Sequence, residues 1–558
     1  MEPKKTDENN SSWENLNLNY SGNNSYASFF PSKSNIHSYP AKLVPNLVFT
    51  LLSQIKKEHK IRSVLDPFVG SGTTALESKY LGLDFYGSDL NPLANLIART
   101  KVLTLSNRNE VVTNIENFIV RLQEEYKNAR AIKMTVFHNI EYWFKENTIR
   151  ELSFLKEKIS HFLKDQGIEN RECYALILLN AFSSSIRMCS LSRNSEFKLY
   201  RKTPSEIKKF DINAIEVFSK NVISLIEMLT QINNAYKNES VMEIVLDNAK
   251  ELKFLQGRKV DLVLTSPPYG DSKSTVAYGQ FSRLPLQWMS DLLYKYLGIR
   301  VYSENCDEYL LGGKKSKIIA NDNAFIDNSN TMKELICKMD KLINEEVRKL
   351  KEMKLELIAL QKDAENDRII NKEDISNDLF GLLKERVRLD FYRVYNEDTS
   401  LSRKEVKKLS IENTEHFFSV LSQGEESDRL DNMELLKAKM KPVKDTINRK
   451  ILSVSRRKDE VLNFFRDLYQ VVVCTNETLN KHGFQAWIVG HRTVLGKINI
   501  NMREILSDWF SFMGYEKVTD LTREYSFKRL PYYINSTANR NDQIKTMMEE
   551  YILIVRKP

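Results

Sequence analysis

The chain has 558 residues, 42% hydrophobic and 10% aromatic, and its 83 basic and 74 acidic side chains leave a net charge of +9. That length exceeds one ordinary domain and can fill several cores, while so mild a charge allows a polyanionic partner without arguing for one. Five scattered cysteines without a C-x-x-C pair, and seven histidines without ligand spacing, argue against a disulfide framework and a metal site and imply a reducing compartment. No signal-like apolar segment or long apolar run is present, so a cytoplasmic protein with no membrane association is expected.

In chain order, residues 1–28 are rich in Asn and Ser and read as a flexible leader. An apolar helix is expected from Asn46 to about Lys57, then a buried strand, Ile61–Leu65, ending in Asp66-Pro-Phe-Val-Gly-Ser-Gly-Thr73. A helix over Thr74–Leu81 and a second strand, Asp84–Ser88, lead to Asp89. Strand, Gly-rich turn, helix, strand and acidic residue, in that order, mark a nucleotide-binding α/β half. Residues 106–236 then read as helical. Sheet character resumes at Met242–Leu246, followed by Asp247, and at Val260–Leu264, followed by Thr265-Ser-Pro-Pro-Tyr269.

A second helical stretch covers 284–463, with an apolar stripe from Met339 to Leu360 and a basic run over 437–458. A strand is expected at Gly483–Gly490, a helix at Ile498–Met513, and an antiparallel pair at Glu516–Phe527 and Tyr551–Val555. The predicted fold is a Rossmann-like α/β sheet, mostly parallel with an antiparallel C-terminal hairpin. It is assembled from 29–105, 237–283 and 464–558 and interrupted by helical insertions at 106–236 and 284–463.

The two loops carry the chemistry. In an open α/β sheet, ligands bind beyond the carboxyl ends of the strands, so both loops are expected to face one crevice. Gly70 and Gly72 let backbone N–H groups approach a ligand at a helix N-terminus. The phosphate-loop lysine is missing, since Thr73 and Thr74 stand where Gly-Lys would be needed. Asp66 would repel phosphate and attract an ammonium group. Asp89 sits where such folds bind a ribose diol, and Asp247 is placed to accept from an adenine amine. Amine, ribose and adenine without phosphate describe S-adenosylmethionine and not NAD. In the second loop, Pro267 and Pro268 fix the backbone and remove two donors. That leaves a rigid carbonyl and the Ser266 hydroxyl to accept from an exocyclic amine, with Tyr269 to stack on the base. Such a site works by positioning and electrostatics.

These segments resemble the amino-methylating DNA methyltransferases, which act on cytosine N4 or adenine N6 with S-adenosylmethionine. Asp66–Thr73, with Pro67 and Phe68 inside it, is similar to that family's cofactor loop, and Ser266–Tyr269 to its catalytic tetrapeptide. The segment Ile36–Pro45 is similar to a cofactor-pocket element, which implies cofactor roles for Tyr39, Pro40 and Lys42. The C-terminal runs Val489–Val494, Phe527–Pro531 and Tyr551–Lys557 look like the family's last strands. The resemblance covers 29–105, 240–290 and 465–558. It implies double-stranded DNA as substrate, base flipping, and a restriction endonuclease or other defence protein as associate. Ser before Pro-Pro-Tyr is commoner among the cytosine-N4 enzymes, and Asp or Asn among the adenine-N6 enzymes. Cytosine C5 chemistry needs a loop cysteine, and neither Cys306 nor Cys474 lies in such a context.

With the sheet running to the end of the chain, DNA reading is expected from the insertions. The second, with its basic run 437–458, is the better candidate; the first offers Ser190–Ser195 and Lys198–Lys202. Two other readings stay open: an RNA guanine-N2 methyltransferase, for the Pro-Pro-Tyr-Gly likeness, and a DNA-binding protein with a degenerate methylase core.

Overall fold

The computed structural model describes residues 13, 16, 18, 37–40, 42–193, 197–235, 239–270, 276–366, 375–397, 401–423, 426–524, 533–535, 543–545 and 549–558. Phe29–Pro31, Ile36, Ala41, residues 194–196 and Phe527–Pro531 lie outside them. Eleven strands are present among the described residues: β1 Ser63–Asp66, β2 Asp84–Ser88, β3 Met242–Val245, β4 Val260–Thr265, β5 Leu479–Gly490, β6 Arg492–Val494, β7 Ile498–Ile500, β8 Glu516–Glu524, β9 Tyr533–Asn535, β10 Gln543–Lys545 and β11 Glu549–Arg556. Seven form one sheet in the order β3-β2-β1-β4-β5-β11-β8. The first five strands in that order run parallel, and β11 is antiparallel to both β5 and β8. This is the expected mostly parallel α/β sheet with an antiparallel C-terminal edge.

The central strands are apolar runs because both faces are covered. Val64, Leu65, Leu262, Val263 and Leu264 have no exposed surface. On one side the helix Pro45–Glu58 buries Leu47, Leu51 and Ile55 against Val64, Phe85, Leu262 and Ile554. A second core gathers the helices Pro92–Lys101, Arg108–Lys127, Glu146–Asp165, Ile168–Cys189, Ala214–Ala235 and Tyr278–Leu297. The helix Ile168–Cys189 is its most enclosed member: Tyr174, Ile177, Leu178, Leu179 and Phe182 are fully buried.

The structure departs from the sequence reading at three places. The expected flexible leader contributes Trp13 and Leu18, each 5% exposed, to the core, and the Trp13 indole donates to Glu58 at 3.1 Å. The expected helix 498–513 begins later, as Met502–Phe512. The residues before it pair as the short hairpin β6–β7, and Asn501 caps the helix by accepting from the Glu504 amide.

Thirdly, the chain divides into two compact units, 334–460 and the remainder, so residues 284–333 group with the sheet. The unit 334–460 has its own core of Leu357, Leu379, Leu383, Phe417, Leu436, Met440 and Ile447. Leu350, Leu357 and Leu360 of the apolar stripe belong to that core. Among the described residues, no helix is long and apolar enough to cross a membrane, and no group of three or more His, Cys, Asp or Glu is placed to hold a metal.

Candidate active site

The cofactor-loop candidate starts where β1 ends. Asp66, 1% exposed, accepts through Oδ1 from the Phe68 amide at 3.0 Å and from the Thr265 hydroxyl at 2.6 Å. Thr265 is the last residue of β4, so one hydrogen bond joins the roots of two loops whose anchors lie 199 residues apart in sequence. Gly70 and Gly72 both take positive φ, +49° and +75°, which L side chains rarely adopt. A Cβ on Gly72 would stand 2.8 Å from the Ala98 Cα, so this glycine also lets the helix Thr73–Tyr80 pack closely on Pro92–Lys101. From the end of β2, Asp89 braces the loop, accepting from the Gly70 amide at 3.0 Å and the Asn91 amide at 2.8 Å. Burial pushes the carboxyls of Asp66 and Asp89 up, each to about 6.

A pocket of about 870 Å³, its open mouth included, lies over these residues. Of the residues singled out by sequence, Tyr39, Lys42, Pro67, Phe68, Gly70, Thr73, Asp89, Asp247, Ser266 and Pro268 line it. Pro40, Asp66, Gly72, Pro267 and Tyr269 stand outside its wall. Asp66 is therefore a brace behind the loop, bonded to backbone and to Thr265. The expected direct contact with an ammonium group is not where the side chain sits.

Asp247 accepts from the Asn248 amide at 2.8 Å and the Phe254 amide at 3.1 Å. A carboxylate has about four acceptor positions, so Asp89 and Asp247 each retain capacity toward the pocket. The Tyr39 hydroxyl accepts from Asn91 Nδ2 at 3.0 Å, and its ring lies 5.9 Å from that of Tyr278. Burial pushes the Lys42 ammonium down to about 8; it donates to the His37 carbonyl at 2.8 Å. His37 is buried, shares a 2.9 Å hydrogen bond with Ser183, and is pushed down by that burial to about 4, which leaves it neutral near pH 7. Carboxylate acceptors, an aromatic wall and the Lys42 ammonium beside the Gly-rich turn fit an adenosyl amino acid.

Sequence reasoning missed part of the wall. Tyr309, Leu310 and Leu311 line the pocket from within the stretch expected as an insertion. A buried polar knot holds them. Asp467 Oδ2 accepts from the Gly312 amide at 2.8 Å and from Ser316 Oγ at 2.7 Å, while Oδ1 lies 3.3 Å from the Lys250 ammonium. Lys250 donates to Ser316 Oγ at 2.8 Å, also bonds the Lys317 carbonyl, and itself lines the pocket beside Asp247 and Asn248. The side chains of this ion pair are 1% and 2% exposed. Three distant stretches meet here, and no local motif announces them.

The catalytic-loop candidate leaves β4 at Thr265. Ser266 and Pro268 face the pocket, while the Tyr269 hydroxyl donates to Glu550 Oε1 at 2.9 Å and lies 3.4 Å from Ser266 Oγ. Arg523 Nε donates to the other Glu550 oxygen at 2.7 Å. The Arg492 guanidinium packs directly over Gly270, where a Cβ would stand 1.5 Å from its Nη1, so a larger residue there would displace the arginine. Burial pushes the Cys306 thiol up, and the Cys474 thiol to about 12. Neither is a thiolate nucleophile.

In the helical unit, much of the basic run is spoken for internally. Lys437 pairs with Glu434, Lys439 with Asp390, Arg457 with Glu460 and Lys458 with Asp340. Lys441, Arg449, Lys450 and Arg456 of the same run are exposed. In the first helical stretch, Lys202 donates to the Ser190 and Ser192 carbonyls, and Arg201 lies 4.2 Å from the Tyr142 ring centre.

Comparison with known proteins gives a consistent result. Residues 2–100 match a family model described as DNA methylase, of the N6/N4 methyltransferase type. The chain is 34% identical over 341 residues to the Type II methyltransferase M.MvaI of Kocuria varians, covering 57% of this chain and 71% of that protein. It is 26% identical over 234 residues to the Type II methyltransferase M.BsoBI of Geobacillus stearothermophilus, covering 37% and 43% respectively. A 68-residue stretch is 37% identical to the Type II methyltransferase M.MjaII of Methanocaldococcus jannaschii, 12% of either chain. No solved structure matches the chain.

Proposed function

Because this chain belongs to the N6/N4 DNA methyltransferases, whose methyl donor is S-adenosylmethionine, we propose that it methylates the N4 amine of a cytosine flipped out of a specific DNA sequence. The observation that carries this reading is the shared pocket. Ser266 and Pro268 line the same cavity as Gly70, Asp89 and Asp247, and Thr265 is bonded to Asp66 beneath it. An amine held at Ser266 therefore lies beside whatever the cofactor loop holds.

In this reading Asp89 accepts from the ribose hydroxyls, Asp247 from the adenine amine, and Lys42 pairs with the carboxylate of the amino-acid tail. When bound, S-adenosylmethionine supplies an electrophilic methyl group on a sulfonium. The chain's own part is to hold the target. The Ser266 hydroxyl and the rigid loop carbonyl accept from both amine hydrogens, which localises the nitrogen lone pair for in-line attack. Tyr269 stacks on the base, and the closed wall of Tyr309–Leu311 excludes water. The advantage lies in positioning and in preorganised acceptors.

Ser266 in place of Asp or Asn is what favours cytosine N4 over adenine N6. DNA reading falls to the unit 334–460, with the exposed Lys441, Lys450 and Arg456 on phosphates. The Type II relatives support a role as the protective partner of a restriction endonuclease. The test is nucleoside mass spectrometry of DNA exposed to the purified chain and S-adenosylmethionine. N4-methylcytosine is the expected product; N6-methyladenine would move the assignment to the other base, and no methylated amine would reject it.

A further inference from the structure

The strand ends around the catalytic-loop candidate bear on how Ser266 works, an inference that rests on the function just proposed. Glu550 and Arg523 are cross-strand partners on β11 and β8, and Glu550 is also in register with Gly490 of β5. Both side chains are enclosed, Arg523 at 5% and Glu550 at 8% exposure, and they form a 2.7 Å ion pair. One Glu550 oxygen is occupied by Arg523 Nε and the other takes the phenolic proton of Tyr269 at 2.9 Å.

A phenol has one proton to give. With that proton on Glu550, the Tyr269 oxygen can act toward other hydroxyls only as an acceptor, and Ser266 Oγ faces it at 3.4 Å. The 3.4 Å contact is long for a bond between hydroxyls, yet its direction is set. Ser266 donates to Tyr269, and its lone pairs are left to face the pocket. An exocyclic amine presents two donors, so a serine meets it productively only as an acceptor. Water has no such preference, and an unguided hydroxyl would spend part of its time pointing its proton at the amine.

We propose that Glu550, held by Arg523, is a positioning residue that orients Ser266 through Tyr269, so that the serine offers lone pairs to the target amine. The sheet's antiparallel edge is then part of the catalytic apparatus: it polarises a hydrogen-bonded chain running Ser266 → Tyr269 → Glu550 and also locks the Tyr269 ring at its far end. Carboxylate is the right terminus because it only accepts. A glutamine there also carries donors, which allow the chain to run backwards.

The experiment measures steady-state methylation of duplex DNA by the full chain and its variants Tyr269→Phe, Glu550→Gln, the corresponding double variant, and Ser266→Ala with and without Glu550→Gln. Tyr269→Phe keeps the stacking ring and removes only the link. It and Glu550→Gln are each expected to lower kcat by about tenfold or more, with KM and calorimetric Kd for S-adenosylmethionine within about twofold of wild type. The Tyr269→Phe/Glu550→Gln variant should be no slower than the slower single variant. Adding Glu550→Gln to Ser266→Ala should cost nothing further. Wild-type kcat in Tyr269→Phe, or losses that multiply in either pair, would overturn the proposal. The unchanged Kd separates this result from misfolding. The wild-type product in the same assay reports separately on the proposed function, so multiplying losses beside normal wild-type activity reject the relay alone.

Discussion

Residues 66–73 are held mainly by near neighbours, although Asp66 also bonds Thr265: Asp66 accepts from Phe68 two residues on, and Asp89, just past the end of β2, accepts from Gly70 and Asn91. Residues 266–270 are held from afar, with Tyr269 on Glu550, Arg492 over Gly270, and a wall supplied by Tyr309–Leu311 under the control of Asp467. One loop is a local motif, and the other is completed by residues between about 40 and 280 positions away, as the 281-residue separation of Tyr269 and Glu550 illustrates. The difference teaches that a Gly-rich turn can be carried by a short sequence, whereas the setting of the Pro-Pro-Tyr loop depends on the finished sheet.

The contrast breaks first at Ser266. Ser266→Ala is expected to lower kcat by about 10²–10³ while leaving the Kd for S-adenosylmethionine unchanged, as loss of one preorganised contact to the reacting group does. Equal kcat in the variant would remove the loop from the chemistry. On the cofactor side the signs should reverse. Asp89→Ala removes the proposed ribose acceptor and the brace on Gly70 and Asn91, so Kd should rise by about 10–100-fold, on the order of 1.4–2.8 kcal/mol. Saturating cofactor should restore much of kcat; calorimetry and steady-state kinetics together check this.

Asp467→Asn sharpens the comparison because it touches neither motif. It weakens the tie to Lys250, Ser316 and Gly312 and should loosen the Tyr309–Leu311 wall. Cofactor affinity should then fall by about 5–10-fold, with a smaller change in kcat. Asparagine is chosen because removing the side chain leaves a buried ammonium without its partner, at a cost of about 3–5 kcal/mol.

How much of this was legible follows from locality. The strands Val64–Leu65 and Val260–Leu264, the glycines at 70 and 72 and the acids at 66, 89 and 247 are decided by short stretches; the sheet pairs those strands, and Gly70, Asp89 and Asp247 line the pocket. Asp66 was read as a ligand contact because sequence shows a charge at a strand end but not which way it faces. Its 2.6 Å bond to Thr265 turns it inward. Glu550, Arg523, Lys250 and Asp467 carried no signal, since in sequence they are ordinary members of charged stretches. Lys437, Lys439, Arg457 and Lys458 of the basic run pair with acids within the helical unit, which a run of like charges does not announce in sequence.

Two smaller effects remain. Burial holds the Asp89 carboxyl up at about 6, and a cofactor offering hydroxyl donors to it favours its ionised form. Affinity should therefore be flat above about pH 7 and weaken as pH falls through 6, approaching about tenfold per pH unit for one titrating group. A pH-independent Kd between about 5 and 8 would mean the Asp89 carboxyl does not answer to the ligand. Smallest of all, Lys441→Ala, Lys450→Ala and Arg456→Ala should each raise the KM for DNA by a few-fold and reduce the salt slope by about 1. Unchanged salt dependence in all three would move DNA reading away from that helix.

The most direct test of one shared site is calorimetric titration of S-adenosylmethionine into the wild-type chain, Gly70→Val and Ser266→Ala, with methyl transfer followed on the same samples. One site per chain is expected in the wild type. Gly70→Val should lose binding and transfer together, and Ser266→Ala should keep binding and lose transfer. Wild-type binding in Gly70→Val, or undiminished transfer in Ser266→Ala, would contradict the claim that the two loops work as a single pocket.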